Sequence, residues 1–335
     1  MRVSTLKALF EGKRALFEGL WIENHHDFQP KPIIHLDFSA LDLKTRPLEQ
    51  ALFKRFAELA HQHQIPIGPD SAKNTLKTLI THLGQADGVV VLVDEYDKPI
   101  TDYLDNPAKR QENQDTLKSI YGLLKPMDPY LHRVLITGVS KFGKLSLFSD
   151  LNNLYDASLD PKFAVLLGYT SEEIQANFKE YLETATERTN LSLAELWESL
   201  QFWYNGYSWD AKQRVYCPFS MLSFLNNPVF KGYWYETGTP TFLLKLIKEQ
   251  GIEPFYLESL EASDQLISVA NIEHLDPISL MFQTGYLTIH SAEFSRFGPS
   301  YQLGYPNEEV RQAFSGQLLQ EYLGDTGYKV GLNGA

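Results

Sequence analysis

The order of apolar and polar positions divides this chain into two textures. In the first, short apolar runs alternate with helical stripes. Gly88-Val89-Val90-Val91-Leu92-Val93-Asp94 holds five consecutive apolar residues, mostly β-branched, and predicts a strand buried on both faces. Ile33 to Phe38, entered from Pro32, predicts a second strand, Arg133 to Thr137 a third and Phe163 to Leu167 a short fourth. Between them, Leu48, Leu52, Phe56, Leu59 and Ala60 recur at helical spacing from Pro47 to about His63, with Pro47 suited to the first helical position. Ser71 is placed to cap a helix whose face is Leu76, Leu79, Ile80 and Leu83. Lys98-Pro99-Ile100 turns the chain, and Leu117, Ile120, Tyr121 and Leu124 mark a helix from about Ala108 to Leu124. At the start, Val3, Leu6, Leu9 and Phe10 share one helical face without a convincing N-cap, so the helix reads as one entered part-way. Gly12 interrupts it, and Ala15 to Trp21 continue an amphipathic segment. Strands alternating with helices predict an α/β domain with a parallel, doubly wound sheet over residues 1–168.

From residue 169 the pattern turns to helices and aromatics. Thr170 to Glu173 and Ser192 to Glu195 both have capping-box form, and each predicts a helix start. Trp203-Tyr204-Asn205-Gly206-Tyr207 contains an Asn-Gly turn signal, and residues 169–264 read as a helical region. Asp276 to Thr284 predicts a further helix, and Gly285 to Ile289 and Tyr301 to Tyr305 predict two short strands around a polar loop. Asn307 then caps a last helix, with Glu308 and Glu309 well placed for its dipole. Helix, hairpin and helix over 265–323 predict a small winged-helix-like segment, and the polar residues 324–335 a frayed tail.

Composition narrows the functional classes. The 335 residues leave room for about two domains, and 43% hydrophobic residues suffice for full cores. A net charge of −12 argues against a broad phosphate-binding face but leaves room for a local basic patch. In the winged-helix-like segment, Arg296 and Arg311 are too few for a clear nucleic-acid reading surface, so nucleic acid stays open as a partner. A single cysteine, Cys217, excludes an internal disulfide and a Cys-rich zinc site, which fits a reducing cytoplasm. His25-His26 and His61-Gln62-His63 lie in polar surroundings and lack a second ligand pair at metal spacing. No apolar run approaches the ~20 residues of a membrane span and no secretory signal opens the chain, so the expectation is a cytoplasmic protein without a membrane partner.

The chemistry concentrates where the central strand ends. Asp94, Glu95 and Asp97 arrive within four residues, at the carboxyl end of a strand where open α/β sheets place their ligands. Two readings compete. A strand followed by an acidic, solvated turn is common. An apolar run closing in Asp-Glu is also the Walker B pattern, in which the Asp holds the water shell of a nucleotide-bound Mg²⁺ and the Glu orients or deprotonates the attacking water. Gly138-Val139-Ser140-Lys141-Phe142-Gly143-Lys144-Leu145 nearly matches a phosphate loop, yet Leu145 replaces the metal-binding hydroxyl and the stretch follows the Walker B strand instead of preceding it. The competing interpretation is a strand-end polar sensor, with Thr137 or Ser140 pointing at a γ-phosphate or at the attacking water.

Several ordered blocks carry a family resemblance. They include Ser4 to Lys13, Leu20-Trp21-Ile22, His35 to Ser39, Val93 to Ile100, Ile136 to Phe142, Gly168-Tyr169-Thr170, Trp203 to Tyr207, Phe282 to Leu287 and Gly304 to Arg311. Together they resemble the bacterial predicted AAA-type ATPases that often carry a C-terminal PD-(D/E)XK nuclease-like domain. The resemblance implies an AAA-like P-loop NTPase sheet, a helical lid and a winged-helix-like segment, with Mg²⁺ and ATP as cofactors. It implies Asp94 as the Mg²⁺ acid, Glu95 as the catalytic carboxylate and Thr137 as a sensor, while Ser140 is expected as a nucleotide contact from its place at the strand end alone. Family members open with a strand and a phosphate loop ending in Gly-Lys-Ser, feeding the helix that here begins at Met1; that part and the nuclease-like domain are absent from these residues. The first strand of such sheets lies between those ending at Thr137 and near Leu167, so its loss is expected to leave a core gap or bring the two together.

Without the loop's amides and lysine, ATP loses most of its positive cradle, and this chain alone is expected to hydrolyse ATP poorly or not at all. Two rivals follow. A non-catalytic module would bind a protein partner, or self-assemble, through Trp197, Trp203, Tyr204, Tyr207, Trp209, Tyr233, Trp234 and Tyr235 together with the winged-helix-like segment. A metal-dependent hydrolase would use Asp94, Glu95 and Asp97 directly.

Overall fold

The computed structural model describes residues 2–141, 147–148, 151, 153–234, 241–263 and 276–323. The chain divides into two compact units, Met1–Leu154 and Tyr155–Ala335. The near-match Gly143-Lys144-Leu145, Tyr235, the opening of the 265–323 segment and the 324–335 tail lie outside the described residues.

Unit one is built on three parallel strands in the order β1 (Ile33–Asp37), β2 (Val89–Asp94) and β3 (Leu131–Ile136). Val89 to Val93 are each at most 3% exposed, as expected for an uninterrupted apolar strand covered on both faces. Helix α1 (Arg2–Phe10) covers one face: Val3 packs with Val90 and Leu92, joined by Leu6, Phe10, Ile33 and Leu135. Helix α2 (Leu48–Gln62) buries Leu48, Leu52, Phe56, Leu59 and Ala60, the predicted stripe, and Arg55 donates to the His35 carbonyl of β1. Each fully buried leucine of that stripe contributes about 2 kcal/mol of transfer free energy. Helix α3 (Ala72–Leu83) starts where Ser71 accepts from the Asn74 amide at 3.2 Å. A single-turn α4 (Lys98–Thr101) leads to α5 (Pro107–Gly122), capped by the Asn106 side chain accepting from the Lys109 amide. Gly88 introduces β2 with φ +76, and a Cβ there would lie 2.7 Å from the His132 nitrogen, so glycine lets β3 close on β2.

Two expectations fail in this unit or at its border. Ala15 to Trp21 is no continuous helix: it forms the short 3₁₀ turns Arg14–Phe17 and Trp21–Asn24, separated by Gly19 at φ +76. Phe163 to Leu167 is no strand either. Asp160 caps the 3₁₀ turn Pro161–Phe163 by accepting from the Lys162 amide, and Leu166 and Leu167 are exposed. Pro161 favours the first turn of a helix, and a five-residue apolar run does not distinguish strand from turn. Among the described residues β3 is therefore an edge strand, and none of its six residues is fully buried.

Unit two begins with α6 (Ser171–Asn177), α7 (Lys179–Thr189), α8 (Leu193–Tyr204) and α9 (Pro218–Asn226). Thr170 with Glu173 and Ser192 with Glu195 form the two capping boxes. Ile174, Leu182, Leu196, Leu200, Tyr204, Tyr216, Met221 and Phe224 form its core, with Trp197 and Trp203 packed against them. The Asn-Gly signal is no hairpin turn. Gly206 has φ +118, and a Cβ there would collide with the Pro306 carbonyl oxygen. After α10 (Thr241–Glu249), an antiparallel sheet runs β4–β6–β5, made of Leu260–Ser263, Gly298–Gly304 and Thr288–Ser295. Helices α11 (Pro277–Gln283) and α12 (Glu308–Leu323) flank the hairpin in sequence. The hairpin strands run further than predicted because their outer halves are polar and exposed; pairing with β6, not apolar pattern, makes β5 a strand beyond Ile289.

Candidate functional site

The carboxyl ends of β1, β2 and β3 bring Asp37, Asp94 and Thr137 to one edge of the sheet, where parallel α/β folds place ligands. Asp37 and Asp94 are register partners. Asp37 Oδ1 accepts from the Ser39 amide and hydroxyl, capping the turn Phe38–Ala40, the strand-end role its position suggests.

Asp94 is half-buried and is fixed from two sides. Its Oδ1 accepts from Thr137 Oγ1 at 2.6 Å and from the Glu95 amide at 3.1 Å. No donor among the described residues reaches Oδ2. Thr137 also donates its amide to the Val93 carbonyl at 2.9 Å, continuing the β2–β3 ladder by one residue.

Glu95 follows with φ +53, a left-handed conformation that costs a non-glycine residue roughly 1–2 kcal/mol. Strain of this kind gathers at functional sites. The bend turns the chain out of β2 directly after Asp94. Burial raises the Glu95 carboxyl above its ordinary value, and the nearby acids Asp37, Asp94 and Asp97 push the same way against Lys98. A carboxylate held above its usual range is closer to the basicity needed to take a proton from water.

Asp97 does not join these groups. It is 2% exposed and turns into the fold, accepting from the Val139 amide at 3.1 Å, the Ser140 amide at 2.8 Å and Ser140 Oγ at 2.6 Å. Tyr96 adds two ties, its amide to the Thr137 carbonyl and its hydroxyl to the Ser140 carbonyl at 2.7 Å. Gly138 sits between these ties, and a Cβ there would collide with Asp97 Oδ1 and the Tyr96 ring. The segments 94–97 and 137–140 are thus zipped together.

This geometry sorts the sequence candidates. Asp94, Glu95 and Thr137 come together at the strand ends. Ser140, expected as a nucleotide contact, is instead buried with its hydroxyl committed to Asp97. The Val139 and Ser140 amides, which a phosphate loop would need for an anion, are also spent on that carboxylate. Sequence reasoning missed Tyr96, Gly138 and the inward turn of Asp97. Their only local signal was a glycine following the Thr at a strand end. Of the aromatics expected to bind a partner, Tyr204, Tyr207 and Tyr233 are buried, Trp197 and Trp203 pack against the cluster that holds Tyr204 and Tyr233, and Trp209 and Trp234 are half-buried.

Unit one is thus a parallel α/β unit with Asp94, Glu95 and Thr137 gathered at its strand ends. Residues 1–148 match the model of a family described as predicted AAA-ATPase. The chain is 37% identical over 328 residues to a protein from Azotobacter chroococcum mcd 1 described as "Uncharacterized protein in vnfD 5'region". That similarity covers 96% of this chain, which spans 61% of the length of that relative. No solved structure gives a significant match. No helix among the described residues is long and apolar enough to cross a membrane.

Proposed function

We propose that unit one carries the metal- and water-handling half of an Mg-ATP hydrolysing centre of the AAA type. The observation that carries this is the Thr137 Oγ1 to Asp94 Oδ1 hydrogen bond at 2.6 Å, which fixes one Asp94 oxygen and leaves the other without a donor among the described residues, next to Glu95 in its left-handed conformation. A single carboxylate with one oxygen left over suits Mg²⁺, which keeps most of its waters and takes one or two carboxylates. Bound there, Mg²⁺ with ATP would supply charge neutralisation on the phosphates. Asp94 would hold the metal's water shell, Glu95 would orient a water and accept its proton, and Thr137 would register the terminal phosphate. The Val139 and Ser140 amides are engaged, so the loop leaving β3 offers no phosphate cradle to match. Binding by this chain is therefore weak. Residues 169–264 as a lid and 265–323 as a winged-helix-like segment complete the AAA-type interpretation, although β4 of the first pairs with β6 of the second, so the boundary between them cuts one sheet.

Calorimetric titration of Mg-ATP into the 335-residue chain, beside Asp94→Asn and Lys144→Ala, tests this. The expected result is a Kd weaker than about 0.1 mM, lost in Asp94→Asn and unchanged in Lys144→Ala. Micromolar binding abolished by Lys144→Ala would reinstate 138–144 as a phosphate loop. No binding at millimolar Mg-ATP would overturn the nucleotide site altogether. A protein-binding or self-assembly role has separate support in Phe294 and Phe297, 79% and 87% exposed near the β5–β6 hairpin tip. The direct hydrolase using Asp94, Glu95 and Asp97 loses support, because Asp97 faces the interior.

A further inference from the structure

We infer that Asp97 is a positioning residue: by gripping the backbone of 139–140 it holds the Thr137 hydroxyl on Asp94, and so sets the direction of the Asp94 oxygen left for a ligand. The inference rests on the proposed nucleotide site for its functional consequence, but its structural content stands apart. Three donors converge on one carboxylate that is 2% exposed, and two of them are amides of the loop leaving β3. A buried carboxylate is stabilised there only because those bonds replace water, and each charge-assisted bond is stronger than a neutral one.

The grip reaches Thr137 through a short path. Gly138 is the one residue between Thr137 and the gripped amides, and it packs against both Asp97 and Tyr96. The Tyr96 amide holds the Thr137 carbonyl at 3.0 Å, while the Tyr96 hydroxyl holds the Ser140 carbonyl. If Asp97 lets go, 138–140 is held by the Tyr96 hydroxyl alone, the backbone ties at Thr137 loosen with it, and Thr137 Oγ1 has the Val93 carbonyl, 3.3 Å away, as its other acceptor. Its hydroxyl then rotates off Asp94. The same network ties Tyr96 and Asp97, and therefore the preceding Glu95 bend, to the sensor side. Asp97 touches no candidate ligand, so its effect passes through Thr137.

The test compares the full wild-type chain with Asp97→Asn, Ser140→Ala, Thr137→Val and the Asp97→Asn/Thr137→Val double variant. Asp97→Asn keeps the size but presents an amide where two acceptor bonds were made, and Ser140→Ala loosens the same grip from the other side without touching an acid. Amide hydrogen exchange is read first, without nucleotide. Positioning predicts about tenfold faster exchange at Tyr96 and Thr137 as well as at 139–140, with α2 unchanged. Acceleration confined to 139–140 in both variants would overturn the inference, since the grip would then be local. Binding is read second, as the ratio of Mg-ATP to Mg-ADP affinity. Asp97→Asn and Thr137→Val should each lower that ratio about tenfold, and the double variant no further, whereas general destabilisation would weaken both nucleotides alike. An unchanged ratio in Asp97→Asn beside a lowered one in Thr137→Val would also overturn it. Coupled exchange with no ATP preference in the wild type would uphold the positioning role and refute the nucleotide reading.

Discussion

Glu309 offers the sharpest test of how unit two is held together. It is 0% exposed, near the start of α12, and its two oxygens accept from different elements: Oε2 from Ser220 Oγ of α9 and Oε1 from the Trp234 amide, both at 2.7 Å. Replacing it with alanine takes the acceptor from a buried hydroxyl and a half-buried amide, each costing about 1–3 kcal/mol, and opens a small void. The expected total for Glu309→Ala is about 3–5 kcal/mol. Glu309→Gln is different. Its oxygen can take the Trp234 amide while its NH₂ donates to Ser220, so at pH 7 it should stay within about 1 kcal/mol of wild type. Four of the five tryptophans lie in unit two, so urea unfolding followed by tryptophan fluorescence reports on this unit. The pH dependence adds a sign. Burial raises the Glu309 carboxyl above 4.5, overriding the hydrogen bonds from Ser220, Trp234 and Tyr233. A raised carboxyl binds its proton more tightly folded than unfolded. Its contribution is full below the ordinary value and is lost as pH rises through the folded one. Wild type should therefore gain on Glu309→Gln as pH falls. An alanine variant costing less than about 1 kcal/mol would refute the clasp, and so would a wild-type advantage that grows with pH.

Three further outcomes are expected. Gly206→Ala should destabilise unit two by about 3 kcal/mol or more, measured by the same fluorescence transition, because φ +118 and the Pro306 carbonyl both exclude a Cβ. Ser71→Ala should cost about 1 kcal/mol in chemical denaturation of unit one, through loss of the bond to the Asn74 amide. At position 95 the usual order reverses: Glu95→Gly should be more stable than Glu95→Ala by about 1 kcal/mol, since only glycine relaxes at φ +53, and thermal unfolding of the two variants decides it.

Much of unit one was legible because its elements are set by local periodicity. The uninterrupted run Val89–Val93, the α2 stripe and the Ser71 cap each depend on residues within a few positions of one another. The capping boxes at Thr170 and Ser192 were legible for the same reason. Phe163 to Leu167 failed because a short apolar run looks alike in a strand and a turn, and Asp160-Pro161 decided between them. The outer halves of β5 and β6 were hidden by polar residues, since cross-strand pairing leaves no mark in composition.

For the candidate site, sequence alone determined the chemistry on offer: an apolar strand ending in Asp94-Glu95 and a hydroxyl at the end of another. Tertiary structure decided which groups work together. Asp97 stands two residues from Glu95, yet it faces residues more than forty positions away, and Ser140 turns inward with it. Residue order places side chains within a few ångströms along the backbone. Whether a carboxylate faces solvent or three donors of a neighbouring loop depends on which strand lies beside it, and that is settled only when β2 and β3 pair.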